Sequence, residues 1–318
     1  IRTMYCTFSG RVQPGTMEVL WKRPCNGYGS VNIRQTAGRV YGEKTITNQQ
    51  GAQATCQYVD KFEMADGTLY DPEYDKDSTK RWVGRDPRFD LNFYVHGDSA
   101  GNLPLNVFWD KRDLKVNCYT IRKFLPDGAN KDNNGQTAYA TPLLRLADIY
   151  LAYAEAAYES TGSYNTVPAG GKMTAEDAVN VVRSRAGMPL VADVLNNYAI
   201  DHEAHYGYKS EVLPSDEPFR RIYRNELAVE LAFEGVYWFN LRRWRVAHYK
   251  DGTPLQVLKF DPYNGVINDI TVPIDPSTIS RVNAVANGIY TFKEQHYWMP
   301  FRDDLISFTS DWDQNPGW

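Results

Sequence analysis

Three glutamates recur at four-residue spacing within the segment RIYRNELAVELAFEGVYWFNLRRW, and carboxylates are the groups that glycoside hydrolases use for catalysis. They are Glu226, Glu230 and Glu234. This spacing places the side chains in a row along one side of an α-helix, where like charges repel unless cations lie beside them. Hydrolysis instead needs two carboxyls that face each other across a cleft. The pattern therefore favours buried ion pairs that fix helix packing over a catalytic role. The candidate cations on other segments are Arg145, Arg183 and Arg185.

Other chemical signatures are weak. The closest histidine pair is His202-x-x-His205, in the segment YAIDHEAHYGYKS, which has the composition of a solvated segment rather than of a metal-binding helix. No nucleophile elbow, phosphate-binding loop, dinucleotide fingerprint or H-E-x-x-H motif occurs. We therefore predict no catalytic residues, no metal and no cofactor.

Composition excludes some classes of protein. The chain has 318 residues, of which 42% are hydrophobic, so it can bury a sizeable core. Its net charge of -4, without long runs of like charge, does not favour nucleic-acid binding. Its apolar runs are shorter than a membrane span requires. The four cysteines lack C-x-x-C spacing, which disfavours zinc and leaves open whether they are reduced or paired.

Aromatic residues are unusually common at 14%, and many lie beside Gly, Asn and Asp, where loops are expected. Sugar rings stack on aromatic faces while neighbouring polar groups bind their hydroxyls. The candidate ligand-binding residues are Asn26, Tyr28, Tyr41, Tyr70, Tyr74 and Trp82. For any one of these residues, ordinary packing of a loop remains the commoner explanation. A second aromatic group near the C-terminus is expected to seal the fold: Trp298, Trp312 and Trp318.

The order of elements predicts a mainly α fold with long loop regions and short strands. Residues 1–140 form a loop-rich region with short strands, which is the expected ligand-facing part, and residues 250–318 form a loop-rich segment that packs on the helices. Between them, residues 141–249 form a helical region. The predicted helices are 55–64, 143–160 (capped by Thr141, with Pro142 at its first position), 174–186, and one long helix from 218 to about 245. The predicted strands are 18–21, 91–95 and 117–124.

The helices at 143–160 and 174–186 should form an antiparallel pair of the tetratricopeptide kind, although a 34-residue period is not clean. The ordered segments LLRLADIYLAYAEAAYE, AVNVVRSRAGMP, RNELAVELAFEGVYWFNLRRW, WMPFRDDL and QNPGW resemble the C-terminal signature series of the SusD/RagB family. EVLW, TCQYVDKFEMADG, GRDPRF and YTIRKF resemble, more loosely, the segments that precede that series in the family.

This resemblance implies a SusD-like fold with tetratricopeptide-type helix pairs, and no catalysis. It also implies a lipoprotein exposed on the bacterial outer membrane, held by a lipid anchor upstream of this chain. Such a protein captures oligosaccharides for a SusC-like TonB-dependent transporter. Family members are typically longer, so the chain is expected to be the C-terminal portion of a larger protein. Peptide capture, as in RagB-like members, is the alternative ligand class. A glycoside hydrolase and a helical scaffold for protein partners are the alternatives outside the family.

Overall fold

The computed structural model describes residues 18–23, 53–95, 98–100, 103–104, 119–123, 141–260, 279–284, 288–308 and 311–318. The helices are α1 (Cys56–Val59), α2 (Pro87–Asn92), α3 (Leu146–Thr161), α4 (Ala175–Ala186), α5 (Val191–Val194), α6 (His202–Tyr206), α7 (Pro218–Glu230), α8 (Val236–Arg243) and α9 (Asp303–Phe308). Single 3-10 turns lie at Pro72–Lys76, Leu195–Tyr198, Ala247–Lys250 and Glu294–Tyr297. In these ranges the fold is mainly α, as predicted. None of the helices in the described ranges is long and apolar enough to cross a membrane.

The strands are short and form separate antiparallel pairs. They are β1 (Val19–Arg23), β2 (Phe93–Tyr94), β3 (Ser99–Ala100), β4 (Leu103–Pro104), β5 (Thr120–Ile121), β6 (Thr141–Arg145), β7 (Gln256–Phe260) and β8 (Ile279–Asn283). The pairs are β1 with β6, β2 with β5, β3 with β4, and β7 with β8. The strand predicted at 18–21 is confirmed. Residues 91–92 end a helix instead, and α1 covers only the first part of the helix predicted at 55–64.

The prediction that a helix starts beside Thr141 and Pro142 was wrong. Residues Thr141–Arg145 are extended and pair with β1, so that Pro142 lies opposite Lys22 in the register. Helix α3 begins only at Leu146, after Arg145 as an extended N-cap residue. The same short apolar run fits a strand or a helix, and here pairing with a distant strand decides between them.

Helices α3 and α4 pack against each other and are antiparallel, as predicted. The backbone N–H of Glu176 donates to the carbonyl of Tyr164, which holds the start of α4 beside the end of α3. At the opposite end, Arg145 before α3 and Arg185 near the end of α4 both bind Glu230. Buried side chains of α3 and α4 share one apolar core with side chains of α7, including Leu151, Val179 and Ile222.

Helix α4 has the predicted signals at both ends. The hydroxyl of Thr174 accepts a hydrogen bond from the backbone N–H of Asp177 (3.0 Å), and the Asp177 carboxylate accepts one from the N–H of Thr174 (2.9 Å). This reciprocal pair is a capping box. Gly187 ends the helix with φ +79°, a left-handed conformation that glycine adopts without steric cost. Local sequence therefore fixes the bounds of α4.

Replacing Thr174 with Ala should lower the free energy of unfolding by about 1 kcal/mol, because one N–H of the first turn of α4 loses its acceptor. Chemical denaturation measures this loss. Thr166→Ala is the matched control, since among the described residues that hydroxyl bonds only to Ser163, in an exposed loop. We expect a change within about 0.5 kcal/mol. Equal losses in the two variants would contradict a role for the cap.

The single helix predicted from 218 to about 245 is two helices. Helix α7 ends at Glu230 and α8 begins at Val236. Between them Phe233 has φ +63° and Gly235 has φ +85°, so the chain turns through the left-handed region twice. Lys123 donates to the backbone carbonyls of Ala232 (2.9 Å) and Glu230 (3.4 Å). A side-chain cation from another segment thus satisfies carbonyls at the end of α7, which a continued helix would have bonded itself.

Candidate functional site

Glu226 lies at the centre of a buried ion cluster. Its carboxylate accepts hydrogen bonds from the guanidinium groups of Arg88 and Arg183, the latter at 3.2 Å. Arg183 also donates to both carboxylate oxygens of Glu63, each at 2.9 Å. All four side chains are buried. Glu226 therefore connects α7 with α4 and with the two segments that carry Glu63 and Arg88.

Glu230 has no exposed surface and is bound by three arginines. Arg145 donates to one carboxylate oxygen at 2.8 Å, Arg185 binds the same oxygen, and Arg88 donates to the other at 3.2 Å. Burial alone would raise the pKa of Glu230, but the charges of Arg145, Arg88 and Arg185 outweigh it and lower this pKa to about 2. The carboxylate is therefore charged throughout the physiological range.

Glu234 lies beyond the end of α7 and completes the cluster. Its carboxylate accepts hydrogen bonds from Arg145 at 2.8 Å and from Lys123 at 2.6 Å. Burial raises the pKa of Glu234, but the charges of Lys123 and Arg145 lower this pKa by more than burial raises it. The net shift is therefore downward. Glu18 adds a carboxylate at the edge, where it pairs with Arg145 (2.9 Å) and Arg185 (2.7 Å).

Among the described residues the three glutamates are partners of buried or partly buried cations, which confirms the ion-pair interpretation. Arg145, Arg183 and Arg185 are partners, as predicted. The sequence reasoning missed Arg88 and Lys123. These two come from the loop-rich first region, more than a hundred residues before the glutamates they bind, and no local pattern links them.

The structure describes three of the six predicted ligand-binding residues. Asn26, Tyr28 and Tyr41 lie outside the described residues. Tyr74 and Trp82 are half-buried: the Tyr74 ring is 4.4 Å from the Lys80 ammonium, and Trp82 packs against the core around α1 and α2. Both residues are partly exposed, and their ligand role stays a prediction.

Tyr70 differs from the other aromatic candidates because its ring has no exposed surface. Its hydroxyl donates to Asp75 at 2.8 Å, and the Arg85 guanidinium lies 3.7 Å from the centre of its ring. The ring is therefore a packed part of the core in this structure and offers no face to a ligand. Contacts with the arginine and the carboxylate account for the position of this tyrosine better than a role in stacking on a ligand does.

The C-terminal tryptophans do not seal the fold within the described ranges. Trp298, Trp312 and Trp318 are each about half exposed. The Trp318 indole N–H donates to the carbonyls of Gln295 and Trp298, both at 3.1 Å, and Trp312 lies against Phe301 with ring centroids 5.7 Å apart. These contacts connect residues of the C-terminal segment with one another, and the three tryptophans remain about half exposed. The expectation for this group was therefore wrong.

The histidine pair does not form a metal site with other described residues. His205 lies in α6 and its Nε2 donates to the Tyr70 carbonyl at 3.1 Å. The His202 Nε2 atom is buried without a hydrogen-bond partner in the described structure. Burial, together with the charges of Lys61 and Arg221, lowers the pKa of His202 to about 4, so the ring is neutral at neutral pH. Within the described ranges no group of three or more His, Cys, Asp or Glu could hold a metal ion.

A cleft of about 940 Å³ lies beside this histidine. It is lined by residues 199–204, by residues 209–210 and 212–218, and by Arg221 and Tyr249. We call it the Arg221 cleft. The sequence reasoning missed it because it took the YAIDHEAHYGYKS segment to be solvated, whereas Tyr208 of that segment donates to buried Asp60 at 2.8 Å.

The fold defines a mainly α protein in which a buried ion cluster joins helix pairs to loop segments. The chain belongs to the SusD family, whose model matches residues 17–318. This confirms the family predicted from the ordered motifs. No curated protein matched the chain.

Solved structures agree with the family. A SusD-like protein from Bacteroides fragilis NCTC 9343 is similar with a TM-score of 0.67 and 23% identity, covering 100% of this chain and 56% of that one. A SusD-like carbohydrate binding protein from the same organism is similar with a TM-score of 0.50 and 24% identity, covering 76% of this chain and 44% of that one. The chain therefore spans about half the length of these structures.

Proposed function

We propose that the protein binds oligosaccharides at the bacterial cell surface and delivers them to a SusC-like TonB-dependent transporter in the outer membrane. In this proposal it is a lipoprotein and acts by binding, without catalysis. The observation that carries the proposal is the match of the SusD family to residues 17–318. The fold is also similar to that of a protein described as a SusD-like carbohydrate binding protein.

The ion cluster supports binding over hydrolysis. A retaining or inverting glycosidase keeps two carboxyls free to exchange protons or attack the sugar. Here Glu226 and Glu230 are buried and engaged by arginines, and the low pKa of Glu230 is unsuited to a general acid. These two carboxylates therefore stabilise the fold through ion pairs.

Screening the purified protein on a glycan array, with a peptide pool alongside, tests the proposed function. We expect binding to one class of oligosaccharide and none to peptides. Co-purification with an outer-membrane transporter from the native host tests the delivery step. Peptide binding without glycan binding would contradict the proposal and support the RagB-like alternative.

Tyr74 and Trp82 should contribute to this binding, because both residues are partly exposed. Replacing either with Ala should weaken oligosaccharide binding by about 1–3 kcal/mol, by analogy with the stacking of other flat rings on aromatic side chains. Calorimetry with the preferred oligosaccharide measures this loss. Phe308→Ala is the matched control, because that residue is 85% exposed and lies in α9, a different segment of the chain. Unchanged affinity in both variants would exclude these two residues from the site.

A further inference from the structure

The walls of the Arg221 cleft are held at a fixed separation by one side chain. The buried guanidinium of Arg221 donates to the carbonyls of Tyr198 (2.9 Å) and Ile200 (2.6 Å) on one side. On the other side it donates to the carbonyls of Leu213 and Pro214, both at 3.2 Å. A guanidinium is planar and its donors diverge in fixed directions. The cleft is therefore formed before any ligand arrives, which lowers the entropic cost of binding.

The size of the cleft fits a ligand larger than an ion. Its volume of about 940 Å³ lies within the range of ~300–1,000 Å³ that small-molecule sites occupy. A second cavity of about 40 Å³ adjoins it and shares His202 and Arg221 as lining residues. That cavity has room for water only. The larger cleft is thus the part that can admit a ligand.

The lining of the cleft favours a particular chemistry. Asp201, Glu203 and Glu217 are exposed carboxylates on its walls, and Lys209 is an exposed cation there. The two terminal nitrogens of Arg221 already bond four carbonyls, and its charge with that of Lys209 gives two cations against the three exposed carboxylates. Carboxylates accept strong hydrogen bonds from hydroxyl groups and repel anions. The excess of carboxylates therefore suits a ligand rich in hydroxyls and without negative charge.

Two further groups complete this chemistry. Tyr249 lines the cleft and is 45% exposed, so its ring is available to stack on the apolar face of a sugar. The His202 Nε2 atom is buried beside the cleft and has no hydrogen-bond partner in the described structure. A buried polar atom without a partner costs free energy, which a hydroxyl of a ligand or an ordered water can recover.

We propose that the Arg221 cleft is an oligosaccharide subsite that selects neutral glycans over sulfated or uronate-containing ones. The proposal rests on the proposed function and names the class of its ligand. Asp201, Glu203 and Glu217 accept hydrogen bonds from sugar hydroxyls, and Tyr249 stacks on a sugar ring. Arg221 is a positioning residue, since it holds the walls and does not touch the ligand.

The test uses the purified protein and two sets of probes. The neutral set contains oligosaccharides of starch, cellulose, xylan and mannan, and the anionic set contains polygalacturonate and chondroitin sulfate oligosaccharides. We expect the protein to bind at least one neutral probe. The Glu203→Gln/Glu217→Gln double variant and Tyr249→Ala should each weaken that binding about tenfold, as the loss of about one charge-assisted hydrogen bond or one stacking contact predicts.

Matched controls separate the cleft from the rest of the surface. Glu294→Gln replaces a carboxylate whose side chain is 74% exposed, and Phe308→Ala replaces an exposed ring; neither residue lines the cleft. Both controls should bind like the unmodified protein. Glu203→Lys/Glu217→Lys should increase binding of the anionic probes, because it reverses the charge that repels them.

The outcomes distinguish this inference from the function on which it rests. If no probe of either set binds, the proposed function fails. If neutral probes bind and the cleft variants bind them unchanged, the function stands and the cleft proposal is overturned. The cleft proposal is also overturned, while the function stands, if neutral probes do not bind and the cleft variants lose binding of anionic probes. If Tyr249→Ala lowers both the affinity and the melting temperature, the lost affinity reflects misfolding, and Tyr249→Leu is measured instead because leucine fills more of the volume. Lost affinity in a stably folded Tyr249→Leu supports stacking of the sugar on the tyrosine ring. Unchanged affinity in Tyr249→Leu overturns the stacking role of Tyr249.

Discussion

Replacing Glu230 with Gln should lower the free energy of unfolding by about 3–5 kcal/mol, measured by chemical denaturation at neutral pH. The carboxylate has no exposed surface and is bound by Arg145, Arg185 and Arg88. Glutamine has nearly the same shape but no charge. The variant therefore removes the anion that Arg88, Arg145 and Arg185 share and leaves the buried cluster with one negative charge fewer, which costs more than the loss of an ordinary hydrogen bond.

The matched control for this prediction is Glu159→Gln. Glu159 also pairs with an arginine, Arg220, but its side chain is 42% exposed, so solvent can replace the lost partner. We expect the control to lose less than about 1 kcal/mol. A loss at Glu230 as small as that of the control would show that the cluster contributes no more than surface pairs do.

Acid should weaken the fold mainly between pH 4.5 and 2 through the same carboxylate. The pKa of Glu230 is about 2 in the folded protein, against an ordinary value of 4.5. A carboxyl with a lowered folded pKa contributes stability that is fully present above its unfolded pKa and is lost as the pH falls towards the folded one. A shift of this size corresponds to roughly 3 kcal/mol, from about 1.4 kcal/mol for each pKa unit.

Denaturation curves of the unmodified protein and of Glu230→Gln, recorded at pH 6 and at pH 3, measure this contribution. The difference in stability between the two proteins should shrink at pH 3. Other carboxyls also titrate here: burial raises the pKa of Glu63, which opposes the loss in acid, but both proteins carry it. A difference that stays constant between the two pH values would contradict the low pKa of Glu230.

Local signals in the sequence predicted the elements whose ends are set by nearby residues. Helix α4 is the clearest case, because Thr174, Asp177 and Gly187 specify both its ends without outside help. The start of α3 could not be read in the same way, since Thr141–Arg145 pair with a strand more than a hundred residues earlier. The end of α7 could not be predicted from local sequence either, because Lys123 and Arg145, from distant segments, bind the backbone carbonyls there.

The candidate site was less predictable than the fold for the same physical reason. The glutamates could be assigned to ion pairs because four-residue spacing demands compensating cations. Exposure of single aromatic residues depends on the distant surfaces that cover them, so Tyr70 proved buried and Trp298 proved exposed. The Arg221 cleft depends on one guanidinium bonding four backbone carbonyls, and residue types do not encode such geometry.

The ion cluster also has a consequence for the order in which the chain folds. Helices α3 and α4 are neighbours in sequence, so they can pair by closing one short loop. The cluster joins Glu18, Arg88 and Lys123 to residues near Glu230, which requires closing loops of a hundred residues or more. Contacts of such large sequence separation form slowly, because the entropy of loop closure is lost before they stabilise anything. We therefore expect the helical hairpin to form first and the charges to be buried later, when the loop-rich first region docks onto it.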